Sequence, residues 1–178
     1  MQTLVGNQNL SDADLEPILA RAHAKAFAAV QCDGADVLLT EHGALGDGTY
    51  LEPARRLAMR VDHVAQTCVS TAPLEPQLAS SLDKVEPLRS AVDEAMRAYV
   101  TEHLGDAVLT TYGKLSSSGV AVTACVSRCN LSLANYWSGA WRAEWTLEAD
   151  GNKASRGRLS GSLECTVHYF EDGNVQLH

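Results

Sequence analysis

The sequence predicts an α+β fold: an N-terminal helix with a small β unit, one amphipathic helix, and then a five-stranded antiparallel meander. Three observations carry this reading. Apolar residues recur at helical spacing near 12–30 and again near 85–104; after Gly105 the period changes from about 3.6 to about 2 and stays there; and Gly-containing turn signals separate the alternating runs that follow. With 46% hydrophobic residues in 178, the chain can bury a sizeable core.

Ser11 followed by Asp14 is a capping-box spacing, after which Leu15, Ile18, Leu19, Ala22, Ala26 and Phe27 mark one face of a helix over 12–30. Pro17 is placed near its first turn and Gly34 just past its end. Residues 35–41 (ADVLLTE) read as a strand, HGALGDG as a Gly-punctuated turn, and ARRLAMRVDHV as a second apolar stretch. From Cys68 to Asp83, Ser, Thr and spaced prolines remove any clear period, which predicts a loop. The division is therefore 1–67 (helix and small β globule), 68–83 (loop) and 84–178 (helix plus sheet).

In the second helix Val85, Leu88, Val92, Met96, Tyr99 and His103 form the apolar face, and Arg89, Asp93, Glu94 and Arg97 the solvated one. Strands are expected near 106–114, 119–128, 136–148, 155–170 and 174–178, with Asp150-Gly151 and Asp172-Gly173 as hairpin turns. In the fourth, Leu159, Gly161, Leu163, Cys165, Val167 and Tyr169 share a face expected to be buried. In the third, Trp137, Trp141 and Trp145 alternate with Gly139 and Ala143 on one face, which we read as structural core. The last strand has an open edge, so a second polypeptide is expected to complete the sheet.

A net charge of −8 and pI near 5.1 argue against nucleic acid and anionic membrane as partners. The N-terminus has no signal-peptide pattern and no window approaches the roughly 20 apolar residues of a membrane span, which points to the cytosol. Five cysteines, an odd number in mostly apolar segments, read as reduced core thiols.

Competing chemistries are weaker. Cys125 and Cys129 with His168 lack metal-site spacing, and Glu41-His42 beside Asp62-His63 comes with no nucleophile signature. Gly43, Gly46 and Gly48 lack the phosphate-loop pattern. EDGN (171–174) is too short for a calcium loop. Arg55, Arg56 and Arg60 read as solvated. No catalytic residue, cofactor or metal is expected.

NYWSGAWRAEW (135–145) followed by VHYFEDGNVQL (167–177) resembles the paired signatures of F-actin capping protein alpha subunits. LLTEHGALGDGTYLEP (38–53), RVDH (60–63) and MRAYVTEH (96–103) resemble the same family in the same order. The resemblance implies a heterodimer with a beta subunit whose sheet merges with this one, and calcium-independent binding to actin filament barbed ends that blocks subunit exchange in the cytoskeleton. The interface is expected at Tyr169, Asn174, Val175, Gln176 and Leu177. Ser138 and Ala140 stand where the family usually has Asn and Arg, and the family's C-terminal helix and basic actin-contacting tail have no counterpart before His178. The resemblance thus also allows a dimerising structural or regulatory subunit that has lost capping.

Overall fold

Helix α1 (Asp12–Ala26) begins at its N-cap Ser11, where the Asp14 carboxylate accepts from the Ser11 backbone N–H (3.1 Å) and hydroxyl (2.6 Å). Those bonds hold the Asp14 pKa below its ordinary value. The computed structural model describes residues 11–116, 119–130, 137–150, 157–169 and 175–177. The helix ends before residue 30 because Phe27 turns left-handed (φ 53°) and buries its ring, while the Ala28 N–H donates to the His23 carbonyl. Pro17 lies in the second turn rather than the first.

Gly34 is not a helix stop. With Asp33 it forms a two-residue turn, both residues at positive φ (49° and 84°), joining β1 (Ala29–Cys32) to β2 (Ala35–Leu38). This is the Asp-Gly hairpin solution, in which the turn's twist matches that of the strands.

Strands β3 (Ala44–Gly46), β4 (Thr49–Glu52), β5 (Leu57–Asp62) and β6 (Thr67–Pro73) make an antiparallel sheet in that order. The segment expected as a loop at 68–83 is thus mostly regular: β6, then α2 (Pro76–Asp83). Its composition misled because β6 is an edge strand exposed along nearly its whole length, leaving no alternation to read. Pro76 sits in the first turn of α2, where its missing N–H costs nothing. Arg56, expected solvated, pairs with Asp83 (2.7 Å) and donates to the Ala79 carbonyl (2.6 Å), tying α2 to the turn before β5. Arg55 bridges Glu52, Asp33 and the Cys32 carbonyl.

Helix α3 (Glu86–His103) is followed by Gly105 at φ 62°. Strands β7 (Val108–Ser116), β8 (Gly119–Asn130), β9 (Trp137–Asp150), β10 (Gly157–Tyr169) and β11 (Val175–Leu177) form the five-stranded antiparallel meander, ordered β11-β10-β9-β8-β7. The predicted Asp150-Gly151 and Asp172-Gly173 turns reach outside the described residues.

The β7–β8 end is covered on both faces. On one, α3 packs Val100, Met96 and Val92 against Leu109, Ala124 and Val126. On the other, Tyr112 and Cys125 meet Phe27, Leu38, Leu51 and Leu82 from the small β unit and α2. Two side chains two residues apart on β7 grip one residue of β2: the Leu38 N–H donates to Thr110 Oγ1 (2.9 Å), and the buried Tyr112 hydroxyl donates to the Leu38 carbonyl (2.6 Å). Gly43 makes room, since a Cβ there would lie 2.7 Å from the Tyr112 ring.

Arg89 also departs from expectation. It is buried, held bidentate by Glu86 (2.6 and 2.8 Å), because α3 turns that side toward the sheet and the β4–β5 region rather than to water.

Candidate partner-binding face and strand edge

The covered sheet ends at β9. Beyond it Leu159 and Leu163, expected in a buried face, are 65% and 67% exposed. They lie four apart on β10, so both project to one side, and Leu163 shares a groove of about 380 Å³ with Met96, Tyr99, Trp141 and Trp145. The face that α3 shields over β7 and β8 therefore continues over β10, where Leu159 and Leu163 remain exposed.

Trp141 and Trp145, both read as core, divide accordingly. Trp141 is half-buried and packs on the α3 cluster. Trp145 is 42% exposed, a correction to the core reading; its ring lies across the cross-strand partner Gly161, where an added Cβ would come within 2.2 Å. Glycine at 161 is required for that stacking. The backbone of Trp137 pairs with Tyr169 at the far end of the β9–β10 ladder.

Of the residues expected at the interface, Tyr169, Val175, Gln176 and Leu177 lie where the backbone of β11 pairs with β10 in the register Val167↔Leu177, His168↔Gln176, Tyr169↔Val175. Asn174 lies outside the described residues. Because β11 spans only those three pairs, no strand among the described residues lies beyond β10 over Gly157–Thr166. Among the described residues the edge of β10 is therefore unpaired over that stretch, next to the expected contact residues.

The opposite face of β9 is occupied. Arg142 donates to the Lys25 carbonyl, pairs with Glu164 (2.5 Å) and stacks on the Phe27 ring at 5.2 Å, fixing the C-terminal end of α1 on the sheet. Nearby, His42 pairs with Glu144 (3.2 Å). His42, Cys125 and Glu144 present donor atoms within 4.8 Å of one another. That is the group among the described residues that could hold a metal, and it differs from the Cys125, Cys129 and His168 set weighed from sequence. Burial pushes the Cys125 thiol up to about 12, with the Glu144 charge adding to the shift.

His63 was weighed with Asp62, Glu41 and His42 for acid–base chemistry; the structure places it elsewhere. It is fully buried, with Nδ1 3.0 Å from His23 Nδ1 and Nε2 3.2 Å from the Tyr50 hydroxyl, while its backbone N–H donates to Glu16. The arrangement docks α1 on the small β unit. Burial lowers both histidine pKa values, the Glu16 charge acting in opposition.

No helix among the described residues is long and apolar enough to cross a membrane. The family model described as F-actin capping protein alpha subunit matches residues 1–178. The F-actin-capping protein subunit alpha of Dictyostelium discoideum is 28% identical over 100% of this chain and 62% of its own length. That of Gibberella zeae is 30% identical over 98% of the chain and 60% of its own. A solved structure of homodimeric actin capping protein alpha subunit from Plasmodium berghei shares the fold with TM-score 0.74 at 17% identity, covering 98% of this chain and 68% of that one. The chain spans about three-fifths of the length of these curated relatives. With the family model matched from end to end, the chain belongs to the F-actin capping protein alpha subunit family.

Proposed function

We propose that this chain is the alpha half of a capping heterodimer: it pairs with a capping protein beta subunit, and the pair binds actin filament barbed ends and blocks subunit exchange there without calcium, in the cytoplasmic actin cytoskeleton. The observation that carries the pairing is the uncovered apolar face of Leu159, Leu163 and Trp145 beside a sheet edge. Apolar surface supplies affinity, and an unpaired edge supplies register by strand addition. Tyr169, Asn174, Val175, Gln176 and Leu177, with the edge of β10, form the proposed contact region.

Expressed alone, the chain should aggregate or melt without cooperativity, and coexpression with a beta subunit should restore a soluble heterodimer. Equal solubility and cooperative melting without partner would defeat the pairing. For the activity, pyrene-actin elongation is followed with saturating dimer, with and without calcium. Undiminished barbed-end growth leaves the second reading, a dimerising structural or regulatory subunit without capping.

The likeness to a homodimeric alpha subunit favours one further alternative, self-pairing. Light scattering on the chain alone decides it: a discrete, soluble species of twice the chain mass favours the homodimer over the heterodimer.

A further inference from the structure

All five cysteines are free, yet two of them meet: Cys32 Sγ and Cys68 Sγ lie 3.0 Å apart. Cys32 ends β1 and is fully buried, while Cys68, the second residue of β6, is half-buried against the same cluster. The two strands belong to different sheets and share no backbone ladder. The sulfurs stand about 1 Å beyond the ~2.05 Å of a disulfide. The other described thiols do not share this arrangement: Cys125 is sealed beneath the five-stranded sheet, and Cys129 and Cys165 are exposed.

We propose that Cys32 and Cys68 form a redox modification site that closes to an intramolecular disulfide on exchange with glutathione disulfide. The half-buried Cys68 is the entry point. Its thiolate attacks one sulfur of glutathione disulfide, giving a Cys68–glutathione mixed disulfide and one glutathione thiolate. The Cys32 thiolate then attacks the Cys68 sulfur and expels the second glutathione. Two cysteine sulfurs lose two electrons, one glutathione disulfide gains them, and the two thiol protons finish on two glutathione molecules.

The bridge would fasten the β1–β2 hairpin to the β3–β6 sheet. That hairpin carries Leu38, the residue gripped by Thr110 and Tyr112, so the closed form stiffens the joint between the small β unit and the meander. Burial and the neighbouring Cys32 sulfur hold the Cys68 thiol up at about 11, so closure should accelerate as pH rises.

The test uses the chain in its soluble form, with its partner where the chain needs one. It is equilibrated across glutathione disulfide to glutathione ratios, quenched with N-ethylmaleimide and mapped by peptide mass spectrometry. The expected result is a Cys32–Cys68 linked peptide at oxidising ratios, a Tm raised by on the order of 5–10 °C, and return to the starting Tm on reduction. In Cys68→Ser the linked peptide should vanish; Cys32→Ala, tested in parallel, keeps the comparison should the first variant misfold. Alkylation of both cysteines at every ratio, a Cys68–glutathione adduct that never resolves, or linkage of either residue to Cys129 or Cys165 would overturn the proposal.

Discussion

Replacing Leu159 and Leu163 by threonine should move solubility and dimer affinity in opposite directions. Full burial of a leucine side chain contributes about 1.5–3 kcal/mol. With 65% and 67% of these residues still exposed, each retains roughly 1–2 kcal/mol to contribute on association. The pair then accounts for about 2–4 kcal/mol, a roughly 30- to 1000-fold weaker Kd for the beta subunit. Threonine keeps the β-branching that strands favour and gives water a hydroxyl, so the isolated chain should become more soluble. Kd is read by titrating labelled beta subunit, and solubility by sedimentation of the chain alone. If affinity and solubility fall together, the leucines stabilise this chain's own fold; if Kd is unchanged, the partner lies elsewhere. Either result refutes the reasoning.

Tyr112→Phe should leave the buried Leu38 carbonyl without its 2.6 Å donor and cost about 1–3 kcal/mol, a Tm loss of roughly 2–10 °C read by calorimetry of the dimer; an unchanged Tm would show that the grip is dispensable. Arg89→Ala removes the buried guanidinium from Glu86, which is itself partly solvated, and should cost about 2 kcal/mol in urea unfolding rather than the near-zero effect of a solvated arginine. The contact between half-buried His23 and buried His63 should make stability pH-dependent. Both folded-state pKa values are lowered from 6.5, so the unfolded state binds more protons once pH falls below that value. Their contribution is complete above 6.5 and declines as pH drops toward the lowered folded values. The urea midpoint should fall between about pH 7 and pH 5, and His63→Gln should flatten the slope.

Period alone determined the second half of this protein. Five alternating runs became five strands within a few residues of the predicted limits, because antiparallel neighbours joined by short turns need no distant information. The capped start of α1 and the Gly105 end of α3 were equally local. Local signals failed where two meanings compete. Asp33-Gly34 is both a plausible helix end and a hairpin turn, and only the pairing of Cys32 with Ala35 decides between them. An edge strand such as β6, with little of its surface buried, carries no alternation to detect.

Which faces are covered was a matter for tertiary structure alone. Alternation along β10 announces an apolar face, yet it cannot say that Leu159 and Leu163 are left to water. Nor does a helical pattern reveal that Arg89 turns inward onto Glu86, or that Cys32 and Cys68 meet across 36 residues of chain. Covalent spacing sets which side chains share a face; only the packing of one element on another sets what that face meets.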